Sequence, residues 1–256
     1  MPKVSINILT KNRSELLKKA LLSVSKQSFQ DFEVIVINDG SSDETDQILQ
    51  GYKDTRIQII THTESIGITK SRQEALLASS GEYVAILDDD DQWIDPEKLK
   101  KQVEYLDKNK ECVLVGGGVE LISNVKFLIS NQIKNPNGKN IRLRPESGQQ
   151  IRQTMLLRNN FFTSTVMFRR QEAIKVGGFL SDEDDFGEDY DLWLRMGKMG
   201  KMHNFQEAFT AYRVPDYNKE KFKGFLKKQL RLIKRNKSVY PLYYLAVFIL
   251  KFRLFL

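Results

Sequence analysis

Val4, Ile6 and Ile8 alternate with polar residues near the start of the chain, a period of two that predicts a strand. Leu16, Leu17, Ala20, Leu21 and Val24 then recur at the spacing of one helical face. Phe32 to Ile37 (FEVIVI) is nearly unbroken in its apolar character, as a strand covered on both faces requires. It runs into the turn cluster Asn38-Asp39-Gly40-Ser41-Ser42-Asp43, and Thr45, Ile48 and Leu49 mark a helix behind it. Ile57 to Ile60 predicts a third strand, Lys70 to Ser79 a helix, and Tyr83 to Leu87 a fourth strand. Strand and helix alternating in this way imply an α/β domain with a parallel, doubly wound sheet.

Farther along, Leu99, Val103 and Leu106 share one face of a helix predicted over Pro96 to Asn109, with Asp95 as N-cap and Pro96 at its first position. Val113 to Val119 predicts a strand, and the polar stretch 124–150 a loop or short hairpin near the site. Val166 to Phe168 predicts a short strand, Gly177-Gly178 a turn, and Tyr190 to Met196 a buried helix with Trp193 as core packing rather than an acceptor wall.

At 256 residues, 41% of them hydrophobic, the chain is long enough for one large domain or a domain with an appendage. Its single cysteine, Cys112, adjoins an apolar run and reads as a small buried hydrophobe. Met1 is followed by strand-like alternation instead of a basic segment and an apolar h-region, so the protein is expected to stay in the cytoplasm. The net charge of +7 is unevenly spread: residues 217–256 hold eleven Lys and Arg against one acid, Glu220, whereas residues 1–216 hold 29 bases against 32 acids.

The feature that points to chemistry is the run Asp88, Asp89, Asp90, Asp91, placed directly after the fourth strand. Four adjacent carboxylates repel one another and are costly to desolvate unpaired, so they call for cations. An acidic loop that merely caps the next helix is the plain alternative. Against it stands the strand in front, because open α/β sheets bind ligands at the carboxyl ends of their strands. Hard oxygen ligands there suit Mg²⁺ or Mn²⁺ bridging to phosphates. Gly187-Glu188-Asp189 precedes the later helix, where capping alone accounts for part of the acidity.

Together these segments resemble a known family. Thr10-Lys11-Asn12 after the first strand, Asn38 to Thr45 after the second, Leu87 to Asp91 after the fourth, and Gly187-Glu188-Asp189 before Asp191-Leu192-Trp193-Leu194-Arg195 are similar to the motifs of family 2 glycosyltransferases. The resemblance implies a GT-A fold, a Rossmann-like, mostly parallel sheet flanked by helices. It covers a catalytic domain over 1–216, with a nucleotide-binding half at 1–115 and an acceptor-binding half at 116–216. It also implies roles. Thr10 and Asp39 would hold uracil and ribose, Asp39 accepting the uracil N3–H, and Lys70 or Arg72 would face the diphosphate or uracil. Asp91 would coordinate Mn²⁺ or Mg²⁺ with Asp90 beside it, Asp90 also contacting the ribose or donor sugar, and Asp88 would support the pair. Asp189 would be the general base and Glu188 would orient the acceptor. The implied reaction is direct displacement with inversion at the anomeric carbon.

Two departures stand out: Gln73 follows Arg72 where many relatives have Asn, and Tyr212-Arg213-Val214-Pro215-Asp216 lacks the histidine some relatives carry. No histidine metal ligand is therefore expected. His62 and His203 read as surface or satisfied core residues.

In the tail, Phe222, Phe225, Leu226, Leu230 and Ile233 recur at helical spacing among Lys and Arg, a basic amphipathic helix of the kind that lies on anionic lipid. The following apolar run from Pro241 is shorter than the ~20 residues a span needs. Residues 217–256 are thus expected to associate with an anionic membrane surface, with packing on the catalytic domain or on a second subunit as the alternative; no recognition motif accompanies the charge, so no nucleic-acid partner is expected. The resemblance to bacterial O-antigen and capsule enzymes implies a UDP-sugar donor, a lipid-linked acceptor, and a peripheral location at the cytoplasmic face of the inner membrane. UDP-glucose and GlcNAc-diphospho-undecaprenol in a β-1,3 linkage are the specific expectation. Galactose, GlcNAc or rhamnose donors are alternatives, as is a non-catalytic sugar-nucleotide or membrane-binding module.

Overall fold

A computed structural model describes residues 1–122, 140–180, 187–214 and 219–255. The first half follows the predicted alternation: β1 (Val4–Thr10), α1 (Ser14–Ser25), β2 (Phe32–Asn38), α2 (Thr45–Gln50), β3 (Ile57–Thr61), α3 (Ile68–Ala78), β4 (Tyr83–Ile86), the short β5 (Gln92–Trp93) and α4 (Lys98–Lys108). Then come β6 (Cys112–Ile122), β7 (Ile141–Arg142), α5 (Gly148–Thr154), a 3₁₀ turn at Thr163–Thr165, β8 (Met167–Arg169), α6 (Arg170–Lys175), α7 (Glu188–Met196), β9 (Lys201–Arg213), α8 (Lys219–Arg235) and α9 (Tyr243–Phe255).

One sheet runs in the order β3-β2-β1-β4-β8-β6-β9-β5, with β7 paired to β6. Strands β1 to β4 are mutually parallel, and β8 enters antiparallel between β4 and β6. Thr10 of β1 lies in register with Asn38 of β2, and Asn7 with Ile86 of β4, so the loops after these three strands open along one edge. That edge carries the site.

Structure and sequence pattern differ in a few elements. Strand β9, thirteen residues long, was not expected from the pattern. Its pairing with β6 shifts register three times, and each irregularity resets the alternation that would have marked it. Of the polar stretch 124–150, residues 124–139 lie outside the described residues; beyond them β7 folds back onto Val119 and Glu120 as a hairpin requires, and Ser147 caps the unforeseen α5 by accepting from the Gln150 amide.

Trp193 is fully buried among Phe161, Phe168 and Phe179, as core packing demands, and Cys112 is buried too. The tail extends the same core. Leu226 and Ile233 of α8 are 0% exposed, and Tyr240, Ala246 and Leu250 pack into one cluster with Trp193. Tyr240 donates its hydroxyl to the Leu194 carbonyl at 2.8 Å, and Arg152 reaches the Val239 carbonyl at 2.8 Å. Packing on the catalytic domain, the alternative reading of the tail, thus accounts for Leu226 and Ile233 of α8, while Phe222 of the same stripe is exposed. Among the described residues no helix is long and apolar enough to cross a membrane.

Truncating a buried Ile leaves a cavity, so Ile233→Ala is expected to cost about 2–5 kcal/mol. Phe248→Ala, at an exposed position of α9, should stay within about 0.5 kcal/mol. Urea unfolding followed by circular dichroism checks both, and an inert Ile233→Ala would show that α8 is not part of the core.

Candidate active site

The loops after β1 and β2 are laced together. Asn12 donates its amide to the Ser41 hydroxyl at 2.9 Å and accepts the Ser42 amide at 2.7 Å. Asp43 receives the Ser14 and Thr45 amides at the starts of α1 and α2. Gly40 has a positive φ of 71°, and a side chain there would meet the Ser65 amide at 2.7 Å, so only glycine allows the loop after β3 to come this close. Thr10 is buried, and its carbonyl accepts the Asp39 amide at 2.9 Å.

Four donors converge on Asp39: the Ser65 hydroxyl at 2.6 Å, His62 Nδ1 at 2.8 Å, and the Ile66 and Gly67 amides at 2.9 and 3.2 Å. Burial opposes its charge, but the hydrogen bonds led by Ser65 and His62 outweigh it and hold the carboxyl at about 2. His62 is thus no isolated residue. Its Nε2 meets Glu74 at 2.6 Å, so the ring bridges the loop after β2 to α3. Burial works against the imidazolium, yet these two carboxylates raise its pKa above the ordinary value.

Within the aspartate run each carboxylate has its own surroundings. Asp89 is buried against Arg13 at 2.9 Å, and the same guanidinium reaches Asp90 at 3.1 Å. Asp88 accepts Arg72 Nη2 at 2.7 Å. Asp91 is 1% exposed, one oxygen accepting the Ser164 hydroxyl at 2.5 Å and the other the Arg213 amide at 2.7 Å. Burial, together with the charge of Asp88, raises its pKa well above the carboxylate range. Asp91 is thus the most enclosed of the four, with one donor on each oxygen, and Asp88 and Asp90 keep more open oxygen edges, 31% and 24% exposed.

Arg72 is buried, and besides Asp88 it donates Nε to Glu188 at 2.9 Å, joining the loop after β4 to the start of α7. Burial raises the Glu188 carboxyl, an effect Arg72 only partly offsets and the Asp189 charge adds to. Lys70 is exposed on α3 and makes no hydrogen bond or ion pair among the described residues. Gln73, the departure noted above, accepts the Phe179 amide at 2.7 Å and so ties the turn after α6 to α3.

Asp189 sits in the first turn of α7, half-buried. One oxygen accepts the Thr163 hydroxyl at 2.6 Å and Asn159 Nδ2 at 3.2 Å, the other the Tyr190 amide at 2.6 Å. Three donors leave one of its roughly four acceptor positions open. Neighbouring residues of one 3₁₀ turn, Thr163 and Ser164, therefore hold Asp189 and Asp91. Sequence reasoning missed both, along with Arg13 and Asn159. The available signal was three consecutive hydroxyl residues, Thr163-Ser164-Thr165, between two aromatics and a strand.

No three His, Cys, Asp or Glu side chains among the described residues form a metal cage. Two partly open carboxylates in a cluster of four, opposed by the guanidinium groups of Arg13, Arg72 and, more distantly, Arg213, still fit a hard divalent cation that shares its remaining positions with phosphate and water. His203 stacks on Tyr105 with ring centroids 4.3 Å apart and takes no part.

Removing the Ser164 hydroxyl would leave Asp91 short of a donor inside the protein, so Ser164→Ala should lower stability by about 1–3 kcal/mol, read as a lower urea midpoint. The His62 bridge stabilises the fold fully below the unfolded histidine pKa of about 6.5 and fades as pH rises through the raised folded value. The wild type should therefore lose more stability than His62→Ala between pH 6 and 9 in thermal melts; parallel curves would contradict the bridge.

The family described as glycosyl transferase family 2 matches residues 5–177. The UDP-Glc:alpha-D-GlcNAc-diphosphoundecaprenol beta-1,3-glucosyltransferase WfaP of Escherichia coli is 28% identical over 254 residues, 96% of this chain and 94% of its own. Staphylococcus aureus TarS 1–349 in complex with UDP-GlcNAc superposes with a TM-score of 0.69 at 19% identity, covering 90% of this chain and 66% of that one. The mannosyltransferase PcManGT from Pyrobaculum calidifontis, solved with GDP-Man and Mn²⁺, gives 0.69 at 18% identity over 100% of this chain and 70% of its own. The chain spans about two thirds of the length of a Haemophilus influenzae glycosyltransferase, 66% of it at 29% identity over 83% of this chain. With a matching family over most of its length and the corresponding sheet, the chain belongs to glycosyl transferase family 2 and has the GT-A fold.

Proposed function

We propose that this protein is a metal-dependent, inverting hexosyltransferase that moves glucose from UDP-glucose to a GlcNAc-diphospho-undecaprenol acceptor through a β-1,3 linkage, in the assembly of a bacterial surface polysaccharide. The observation that carries the reading is the end-to-end similarity to WfaP, combined with a carboxylate at the start of α7 joined through Arg72 to the aspartates after β4.

The residues divide the work as follows. Thr10 and Asp39 bind uridine, the uracil N3–H displacing one of the four donors that fill the acceptor positions of the ionised Asp39. Asp90, with Asp88, would hold Mn²⁺ or Mg²⁺, and the chemistry such an ion would supply when bound is Lewis-acid neutralisation of charge on the departing diphosphate. The acceptor hydroxyl oxygen attacks the anomeric carbon from the face opposite the diphosphate. The bond from that carbon to the phosphate oxygen breaks, and the hydroxyl proton passes to the remaining open position on Asp189. Thr163 and Asn159 aim that carboxylate, and Glu188, fixed by Arg72, sets the start of α7 from which it projects. The acceptor is membrane-linked, so the enzyme works peripherally at the cytoplasmic face of the inner membrane, with the basic tail toward anionic lipid.

Purified protein with Mn²⁺ and a synthetic GlcNAc-diphospho-lipid should transfer sugar from UDP-glucose in preference to UDP-galactose, UDP-GlcNAc or a rhamnose nucleotide, and NMR of the product should show a β anomer. Transfer from another donor alone would overturn the sugar assignment, and an α product the inverting mechanism. Asp189→Asn should cut turnover by roughly 10²–10⁴ with UDP affinity preserved. Asp90→Asn should weaken Mn²⁺-dependent UDP binding by calorimetry, and unchanged binding would remove Asp90 from the metal.

A further inference from the structure

Helix α9 has two unlike faces. Ala246 and Leu250 are 1% and 2% exposed and pack into the core shared with α7 and α8. On the other side Tyr244, Phe248, Phe252 and Phe255 are 76%, 68%, 57% and 88% exposed. At about 100° per residue these four rings fall within roughly 80° of arc, opposite the buried pair. Leu245, 46% exposed, extends the strip at its edge. Four large side chains in one row make an apolar surface of several hundred Å², the size at which an exposed patch on a soluble protein marks a contact.

The surrounding charge identifies the contact. Lys251 follows the strip along its flank and is exposed; Lys237 lies 5.5 and 5.7 Å from the Tyr243 and Tyr244 rings; Arg253 covers Phe222 at 5.6 Å. Lys227 and Lys234 of α8 are exposed as well. An aromatic strip edged by cations, with one acid in the whole tail, complements a surface that is apolar inside and anionic at its rim, whereas two copies of the strip would bring like charges together. The thirteen-residue helix is about 20 Å long, short of the ~30 Å hydrocarbon core, and its packing against α8 holds it side-on.

We propose that the exposed aromatic face of α9, and not the amphipathic stripe of α8, is the surface by which this enzyme embeds in an anionic bilayer, lying in the plane of the interface with Tyr244, Phe248, Phe252 and Phe255 among the acyl chains. Helix α8 is the coupling piece. Its inner face packs in the core that α7 and α9 share, so a bilayer held by α9 has a fixed relation to the helix that carries Asp189. The inference refines the membrane-linked acceptor proposed above and rests on it.

The test is co-sedimentation of the full chain with vesicles of phosphatidylglycerol and phosphatidylcholine, against phosphatidylcholine alone, comparing the wild type with Phe248→Glu/Phe252→Glu. Both positions are exposed, so the variant's melting temperature and Mn²⁺-dependent UDP affinity should match the wild type. The expected result is wild-type binding to the anionic vesicles that weakens with salt, and at least a tenfold loss of partitioning in the variant. Undiminished binding of the variant would overturn the choice of face. Failure of the wild type to bind anionic vesicles would overturn the inference and the membrane location together, while transfer to a short-chain soluble acceptor would still judge the enzymatic reading alone. A wild-type dimer that the variant converts to monomer, with no vesicle binding by either, would reassign the strip to a second copy of the chain.

Discussion

The buried guanidinium of Arg72 is the contact on which the site depends. Its two ends meet Asp88 at 2.7 Å and Glu188 at 2.9 Å, residues a hundred positions apart and on different layers of the molecule. A buried charge is expensive unless it is paired and hydrogen-bonded. The three groups therefore hold one another in place: Asp88 and Glu188 make the burial of Arg72 tolerable, and Arg72 does the same for Glu188. Through this clamp the aspartate loop after β4 and the first turn of α7 acquire a fixed relation. Arg13 on Asp89 and Asp90, and the Thr163-Ser164 turn on Asp189 and Asp91, complete the frame. The acids are divided between those that build the site and those left open to act in it.

The same division explains the tail. An amphipathic sequence specifies that an apolar face will be covered, without specifying by what. In α8 the cover is the catalytic core, reached by Leu226 and Ile233, and the charged residues other than the buried Lys228 lie on the outer side of a packed helix. Helix α9 is apolar nearly all round, which allows one side to join the core and leaves the other unpartnered. Anchoring the second helix through the first makes the tail part of the folded body.

Much of this was legible in the sequence. The four parallel strands, the helices between them and the Asp88–Asp91 run at a strand end followed from periodicity and turn chemistry, and Trp193 and Cys112 are buried as their neighbours implied. The residue types of the site were legible too, but not the assignment of each. Which aspartate is enclosed and which is open depends on Ser164 and the Arg213 amide, 73 and 122 positions away. The bridging place of His62 was hidden because its partners, Asp39 and Glu74, are 23 and 12 residues distant. Strand β9 was hidden by its bulged pairing. In each case the missing information was a long-range contact, which local pattern does not encode.

A double-mutant cycle on the Arg72 clamp tests its central place most directly, with urea unfolding of the wild type, Arg72→Gln, Glu188→Gln and the double variant. Each single change should be destabilising, and Arg72→Gln, which strips the buried Glu188 and the partly exposed Asp88 of their partner, should cost about 3–5 kcal/mol. The double variant should fall short of the sum by about 1–3 kcal/mol, because Glu188→Gln removes one of the charges that Arg72→Gln leaves unpaired. Effects that add within about 0.5 kcal/mol would show that the two residues do not depend on each other, and the link from the aspartate loop to α7 would have to be sought elsewhere.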